Sequence, residues 1–314
     1  MHFAVGIDIG GGSAKLGSVN SRGQVLSRRT LPTPDAGDAR ELAAAYATEI
    51  ETLLEKTDGG TPLGIGVGVP GHLDAASRSC TSGNVPLLDN FPLADFLEDR
   101  FSLPVRLDND ATLAALAEHR FGAGQSARRL LVVTLGTGIG LGLVIGDEPQ
   151  RPVRGCMGDP GHIIVDPQAT WSCRQGCKGC LESVASSLAL ERDAHAAALW
   201  KPDSELGRLL NDDRSPSAAR IIGAAHDGTD EAIHLIEKAG TWIGMAAASW
   251  CAFYDPDQIL FGGGLSSAGR LLLTTINKTM KTVGMPEYVA GRKIGLAKLK
   301  NDAGLIGAAC LFLR

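Results

Sequence analysis

Apolar and β-branched runs alternate with stretches of helical periodicity along most of the chain, which is the pattern of an α/β protein. Strands are expected over 3–9, 16–19 and 24–30, the last as an antiparallel neighbour, and then over 64–69 and 105–107. Residues 130–135 and 140–145 read as a strand pair around a glycine turn, and 258–261 as a further strand. Apolar positions spaced near 3.6 place helices over 38–56, 111–121, 230–254, 267–282 and 303–313. Helix 111–121 ends in Gly122-Ala123-Gly124, and Ser215-Pro216 supplies a cap and a first-turn proline for another helix. No repeat of fixed period, low-complexity segment or Pro/Ser-rich linker is present.

Composition narrows the function classes. The 314 residues suffice for about two domains, and 44% hydrophobic against 21% charged residues excludes a disordered chain. Thirty basic against 35 acidic residues leave a net charge of −5, which argues against a nucleic-acid or anionic-membrane surface. The longest apolar stretch, 242–254, falls short of the roughly 18 to 20 residues of a membrane span and reads as buried helix. The opening MHFAVGIDIGG reads as a strand entering a turn rather than a signal peptide, so the expected setting is the cytoplasm.

Glycine is the compositional outlier: 40 residues, where average usage is about 7%, without a G-X-Y period. Three turns, Gly10-Gly11-Gly12, Gly136-Thr137-Gly138 and Gly262-Gly263-Gly264, each follow an expected strand. Glycines let backbone amides approach phosphate oxygens and form an anion-binding nest, although each turn alone also suits an ordinary reversal of the chain. None is a Walker loop. Asp8, at the end of the first strand, has the hard oxygen that holds a magnesium-bound water.

Two acids and an amide, Asp108-Asn109-Asp110, stand between a strand and a helix. Asp108 or Asp110 suits a helix N-cap; equally, Asp110 suits a proton acceptor for an attacking hydroxyl, with Asn109 on an adjacent hydroxyl. An ordinary aspartate, of pKa about 3.9, is ionised at neutral pH. Spacing alone leaves both readings open.

Of seven cysteines, an odd number, Cys80, Cys156, Cys251 and Cys310 are scattered like small buried hydrophobes. Cys173, Cys177 and Cys180 cluster in a Gly/Lys/Arg-rich loop, and with His162 they make a closed tetrahedral set for structural zinc.

In this order the motifs resemble the ROK family (repressor, open reading frame, kinase) of bacterial sugar kinases. Residues 8–13 resemble its first phosphate motif, 66–71 its strand and turn towards the sugar, and Asn84, Pro86 and Leu87 its sugar loop. Asn109-Asp110 resembles its catalytic pair, 134–140 its second phosphate motif, and 158–162 its sugar-and-zinc motif. Residues 173–182 resemble its zinc loop with a terminal sugar-binding glutamate, and 255–266 its adenosine motif.

The resemblance implies an actin-like, ribonuclease-H-like ATPase fold of two α/β domains with a cleft between them, here 1–110 with 301–314, and 111–300. It implies ATP-dependent phosphorylation of a hexose, most simply glucose, or of N-acetylmannosamine or N-acetylglucosamine. Asp110 would be the base, and Gly71, Asn84, Asn109, Asp159, His162 and Glu182 would meet the sugar. Asp8, Gly10, Gly11, Gly12, Ser13, Lys15, Thr137, Gly138, Gly262, Gly263 and Gly264 would serve ATP and its Mg2+. His162, Cys173, Cys177 and Cys180 would hold structural Zn2+, one His162 nitrogen remaining for a sugar hydroxyl. A homodimer or homotetramer is implied, without nucleic-acid or membrane partners; a sugar-sensing regulator of the family would need a DNA-binding segment ahead of Asp8. A sugar-binding protein without catalysis is the rival reading.

Three positions depart from the family pattern. Gly12 replaces a threonine, with Ser13 beside it; Asp159 replaces a glutamate; and the middle cysteine sits at Cys177, with Gln175 at its usual site. With the resemblance in place, half of the 40 glycines fall in the three turns, in 64–71, in the strand running to Gly146, in 155–161 and in the cysteine loop. Glycine thus marks where backbone is expected to approach phosphate, sugar or metal.

Overall fold

The computed structural model describes residues 1–314 except 35, 58, 75, 152–158, 212–216 and 314. The expected cap Ser215-Pro216 and the residues Gly155, Cys156 and Gly158 therefore lie outside the described residues. In chain order the first elements are β1 (His2–Ile9), β2 (Ser13–Asn20), β3 (Val25–Pro32), α1 (Ala39–Lys56), β4 (Thr61–Val69), β5 (His72–Leu73) and β6 (Cys80–Thr81). Next come α2 (Leu93–Phe101), β7 (Val105–Asn109), α3 (Asp110–Phe121), β8 (Arg129–Leu135), β9 (Ile139–Ile145) and β10 (Glu148–Pro149). A helical stretch follows: α4 (Leu181–Ala185), α5 (Ser187–Trp200), α6 (Glu205–Asn211), α7 (Ala218–His226) and α8 (Asp230–Tyr254). The chain closes with β11 (Gln258–Gly262), α9 (Arg270–Val283), α10 (Pro286–Val289), β12 (Lys293–Leu296) and α11 (Ala303–Ala309).

Two five-stranded sheets have the orders β3-β2-β1-β4-β7 and β10-β9-β8-β11-β12. In the first, β1 is antiparallel to β2 and parallel to β4, and β4 is parallel to β7. Position in the sheet explains the sequence pattern: central β1 is buried along nearly its whole length, whereas edge strand β3 alternates between half-buried and exposed residues. Helix α1 covers this sheet with Leu42, Tyr46, Ile50 and Leu53, and Asp38 caps it by accepting from the N–H of Arg40 at 2.7 Å and of Glu41 at 3.1 Å.

By contacts the chain forms two compact units: Met1–Val132 with Gly142–Gly158 and Lys298–Arg314, and Val133–Leu141 with Asp159–Ala297. The first unit buries a core of Phe3, Val5, Ile7, Tyr46, Ile50, Ile65 and Val67. On its other side α11 lies against β1, β4 and α3, and the contact is made by glycines. A Cβ added to Gly6 would overlap the Leu305 carbonyl oxygen, and one added to Gly66 would overlap that of Ala308. Gly66, within the segment expected to approach the sugar, thus also makes room for a helix. In the second unit α8 packs along α9 with Ile243, Ala246, Ala247 and Trp250 buried.

Two helices are shorter than the sequence expectation. The helix expected from 267 begins at Arg270, because Gly269 takes φ +62° after a 3-10 turn over Gly264–Ala268. The last helix stops at Ala309 rather than 313. The cap of α7 is Ser217, whose Oγ accepts the Arg220 N–H at 3.3 Å.

Candidate active site and metal cluster

In the first unit, β1 delivers Asp8 to a hairpin in which the Gly10 N–H donates to the Ser13 carbonyl at 3.0 Å and the Thr33 N–H to that of Gly12 at 3.2 Å. The first glycine turn is therefore a hairpin turn, one that leaves Gly11 and Gly12 exposed. Gly11 packs on Asn84, expected in the sugar loop; an added Cβ would lie 3.0 Å from its carbonyl oxygen. Asp8 is opposite Lys15 on β2 and Gly68 on β4, and Gly68 is opposite Asp108 on β7. Lys15 directs its Nζ to the Asn301 carbonyl at 3.4 Å. The Asp8 carboxylate rests on α11, where a Cβ on Gly304 would lie 2.6 Å from each of its oxygens. Gly304 carried no sequence signal because it sits in a helix far from any glycine turn.

At the end of β7 the three polar residues separate. Asn109, not either aspartate, is the N-cap of α3: its Oδ1 accepts from the N–H of Ala111 and of Thr112, each at 3.1 Å. Its Nδ2 donates to the Gly71 carbonyl at 3.3 Å, which joins these two expected sugar residues. Gly71 takes φ +87°, and a Cβ there would overlap the Thr81 carbonyl. Asp108 is buried and ion-paired to Arg151, whose Nε donates at 2.7 Å; nothing in the local sequence announces a partner 43 residues away. Asp110 is the first residue of α3, one place earlier than expected.

Asp110 is not an ordinary aspartate. Burial of its carboxyl, and then the charge of Asp8, push its pKa up to about 7. Burial also raises Asp8, against the opposing pull of Lys15. The first unit thus holds two nearby acids that resist simultaneous ionisation, beside an exposed glycine turn.

In the second unit, the Gly136 N–H donates to the Gly138 carbonyl at 2.9 Å, closing the turn between β8 and β9 with Thr137 exposed. Gly263, at φ +84°, packs on the backbone of Leu135 so closely that a Cβ would overlap it, which brings the second and third glycine turns side by side. Gly262 ends β11, and Gly264 opens the 3-10 turn. Glu182, on α4, accepts the Ile139 N–H on Oε2 at 3.1 Å. Asp159 is exposed, and its carbonyl accepts the His162 N–H at 2.8 Å in a 3-10 turn over Pro160–His162.

His162, Cys173, Cys177 and Cys180 place their ligand atoms within 4.8 Å of one another. Nδ1 of His162 lies 3.5 Å from the Cys173 sulfur and 3.3 Å from that of Cys177, and the two sulfurs are 3.4 Å apart. The shifted middle cysteine still reaches because the loop is a small hairpin. Cys173 N–H donates to the Cys177 carbonyl at 3.0 Å, and Gly176 takes φ +88° at the bend. Burial and the neighbouring thiols push Cys177 up to about 12, so its thiolate is disfavoured here without a cation beside it.

Among the described residues, no helix is long and apolar enough to cross a membrane. The chain is 34% identical to a glucokinase of Halalkalibacterium halodurans over 98% of its length and 94% of the relative's. It is also 34% identical to a glucokinase of Streptomyces coelicolor, over 99% and 98%. A crystal structure of a ROK family glucokinase from Streptomyces griseus, in complex with glucose and AMPPNP, superposes with a TM-score of 0.84 at 32% identity, covering 99% of both chains. The fold is accordingly the actin-like, ribonuclease-H-like ATPase fold. The ROK family profile matches residues 4–314, so sequence, site geometry and comparisons agree that this chain belongs to the ROK family.

Proposed function

We propose that the protein is an ATP-dependent hexose kinase that converts glucose to glucose 6-phosphate. The observation that carries the catalytic reading is the state of Asp110. With a pKa of about 7 it is a stronger base than a surface aspartate and is still substantially ionised at neutrality. In the reaction the 6-hydroxyl oxygen bonds to the γ-phosphorus, the bond from that phosphorus to the β-bridging oxygen breaks, ADP leaves, and Asp110 takes the hydroxyl proton.

The remaining roles follow from the side-chain groups each residue carries. Asn109 spends its Oδ1 on the helix cap, so it meets the sugar through Nδ2, held in place by the Gly71 carbonyl. Asn84, Asp159 and Glu182 offer further polar groups, and His162 offers Nε2 because Nδ1 faces the sulfurs. The glycines of the three turns, with Ser13, Lys15 and Thr137, receive ATP. Such transfers depend mainly on positioning and charge neutralisation, which exposed backbone amides supply.

The metals fit the residues. A tetrahedral zinc with bonds of about 2.3 Å to sulfur and about 2.0 Å to nitrogen sets sulfur–sulfur and sulfur–nitrogen edges of about 3.8 and 3.6 Å. The three separations among His162, Cys173 and Cys177, 3.3–3.5 Å, lie slightly inside such edges, and Cys180 completes the set within 4.8 Å. Zinc would hold the cysteine hairpin and fix the His162 ring. Mg2+ suits Asp8, a hard oxygen donor on β1 beside the first glycine turn; it would neutralise phosphate charge. The reading includes a homodimer or homotetramer in the cytoplasm, checked by light scattering and fractionation. Release of ADP on adding glucose to protein and Mg-ATP, with glucose 6-phosphate as product, tests the activity.

A further inference from the structure

Glu182 reaches further than sugar binding requires. Its Oε2 accepts the N–H of Ile139, the first residue of β9 after the turn Gly136-Thr137-Gly138. A Cβ on Gly138 would lie 2.7 Å from that oxygen, so glycine is what lets the carboxylate rest on the turn. The opposite end of the turn is held from the same helical region, where the Ser187 N–H donates to the Gly136 carbonyl at 2.8 Å. Among the described residues, Oε1 of Glu182 makes no hydrogen bond.

We propose that Glu182 is a positioning residue for the nucleotide turn and couples it to sugar occupancy, resting on the reading of Glu182 as a sugar ligand. A carboxylate that accepts from a backbone amide makes a charge-assisted bond, stronger than a neutral one. A sugar hydroxyl on Oε1 fixes the carboxylate, which fixes the Ile139 N–H and the turn before it. ATP then meets amides already in place and binds more tightly. By linkage, ATP tightens the sugar by the same factor.

Calorimetric titration of the full-length protein with Mg-AMPPNP, with and without saturating glucose, tests this. Wild type is expected to bind AMPPNP about tenfold more tightly with glucose. Glu182→Ala is expected to weaken AMPPNP about fivefold without any sugar and to bring the glucose effect within about twofold. Glu182→Gln keeps the length and a carbonyl acceptor and restores sugar-free AMPPNP affinity to within about twofold of wild type. Should Glu182→Ala fold poorly, Gly138→Ala displaces Oε2 from the other side, and the same loss is expected. Unchanged sugar-free AMPPNP affinity in both variants overturns the positioning role, and a wild type that binds both ligands independently overturns the coupling. A separate glucose titration without nucleotide reports on the sugar reading itself; if glucose fails to bind, the sugar-free comparison still decides whether Glu182 positions the turn.

Discussion

Asp8, at the end of β1, lies close enough to Asp110, at the start of α3, that its negative charge opposes the ionisation of Asp110. The two residues are 102 positions apart in sequence, and parallel pairing of β1 with β4 and of β4 with β7 brings them to one edge of a sheet. The pair makes the pH dependence of turnover a property of both. For the free enzyme, kcat/KM is expected to fall as pH drops through about 7, where Asp110 takes up its proton. Asp8→Asn removes the opposing charge, so the acid limb should move to lower pH by up to about one unit, whatever happens to its height. A pH profile of kcat/KM for the two proteins checks this, and an acid limb that stays in place would refute the pairing.

Asp110→Asn separates catalysis from stability. Turnover should fall about 100- to 10,000-fold while glucose affinity remains nearly that of wild type. Folding raises the Asp110 pKa from 3.8 to about 7, so the folded state binds this proton more tightly than the unfolded chain between those values. Stability from this group therefore declines as pH rises from about 4 to about 7 and stays reduced above that. Asn cannot ionise, so the variant should be more stable than wild type at pH 8, by about 1–2 kcal/mol after discounting for partial exposure, with no gain near pH 4. Denaturant melts at the two pH values measure it; a loss at pH 8 would contradict the burial of this acid.

The cysteine hairpin should contain about one zinc per chain by elemental analysis after gel filtration. Cys177→Ser removes one ligand of the four, and its zinc content and melting temperature should both drop, because a loop with little core depends on the metal for its fold. Full activity and unchanged melting in metal-free protein would reject the structural role.

Gly66→Ala tests the packing of α11 on β4. An added Cβ collides with the Ala308 carbonyl rather than with open space near the sugar. The substitution should cost about 2–4 kcal/mol of stability. If instead stability is unchanged and only the KM for glucose rises, α11 does not pack as described.

Much of the scaffold was legible from the chain. The continuous apolar runs of β1 and β4 and the 3.6-residue period of α1 and α8 follow directly from burial on two faces and on one. Short elements were not. β5, β6 and β10 span two residues each, too few for any period, and the N-cap of α2 is Pro92, which makes no side-chain cap bond. For the site, the three glycine turns and the His/Cys set were visible because each is local. The Asn109 cap, the Arg151 partner of Asp108, the pKa of Asp110 and the Glu182–Ile139 bond were not, since each depends on residues that only the fold brings close. Glycine illustrates both outcomes: Gly138 and Gly263 mark the second and third glycine turns, whereas Gly6, Gly66 and Gly304 mark the close approach of α11.

Sugar phosphorylation by this chain is read from steady-state ADP release over a panel of sugars. The panel is glucose, mannose, N-acetylmannosamine and N-acetylglucosamine, each with Mg-ATP and folded, zinc-loaded protein. The expected result is the highest kcat/KM for glucose, yielding glucose 6-phosphate, with Asp110→Asn nearly inactive. A preference for an N-acetylhexosamine would correct the substrate, with Asp159 the first residue to examine. No turnover with any of the four sugars would contradict the account and leave a sugar-binding protein in its place.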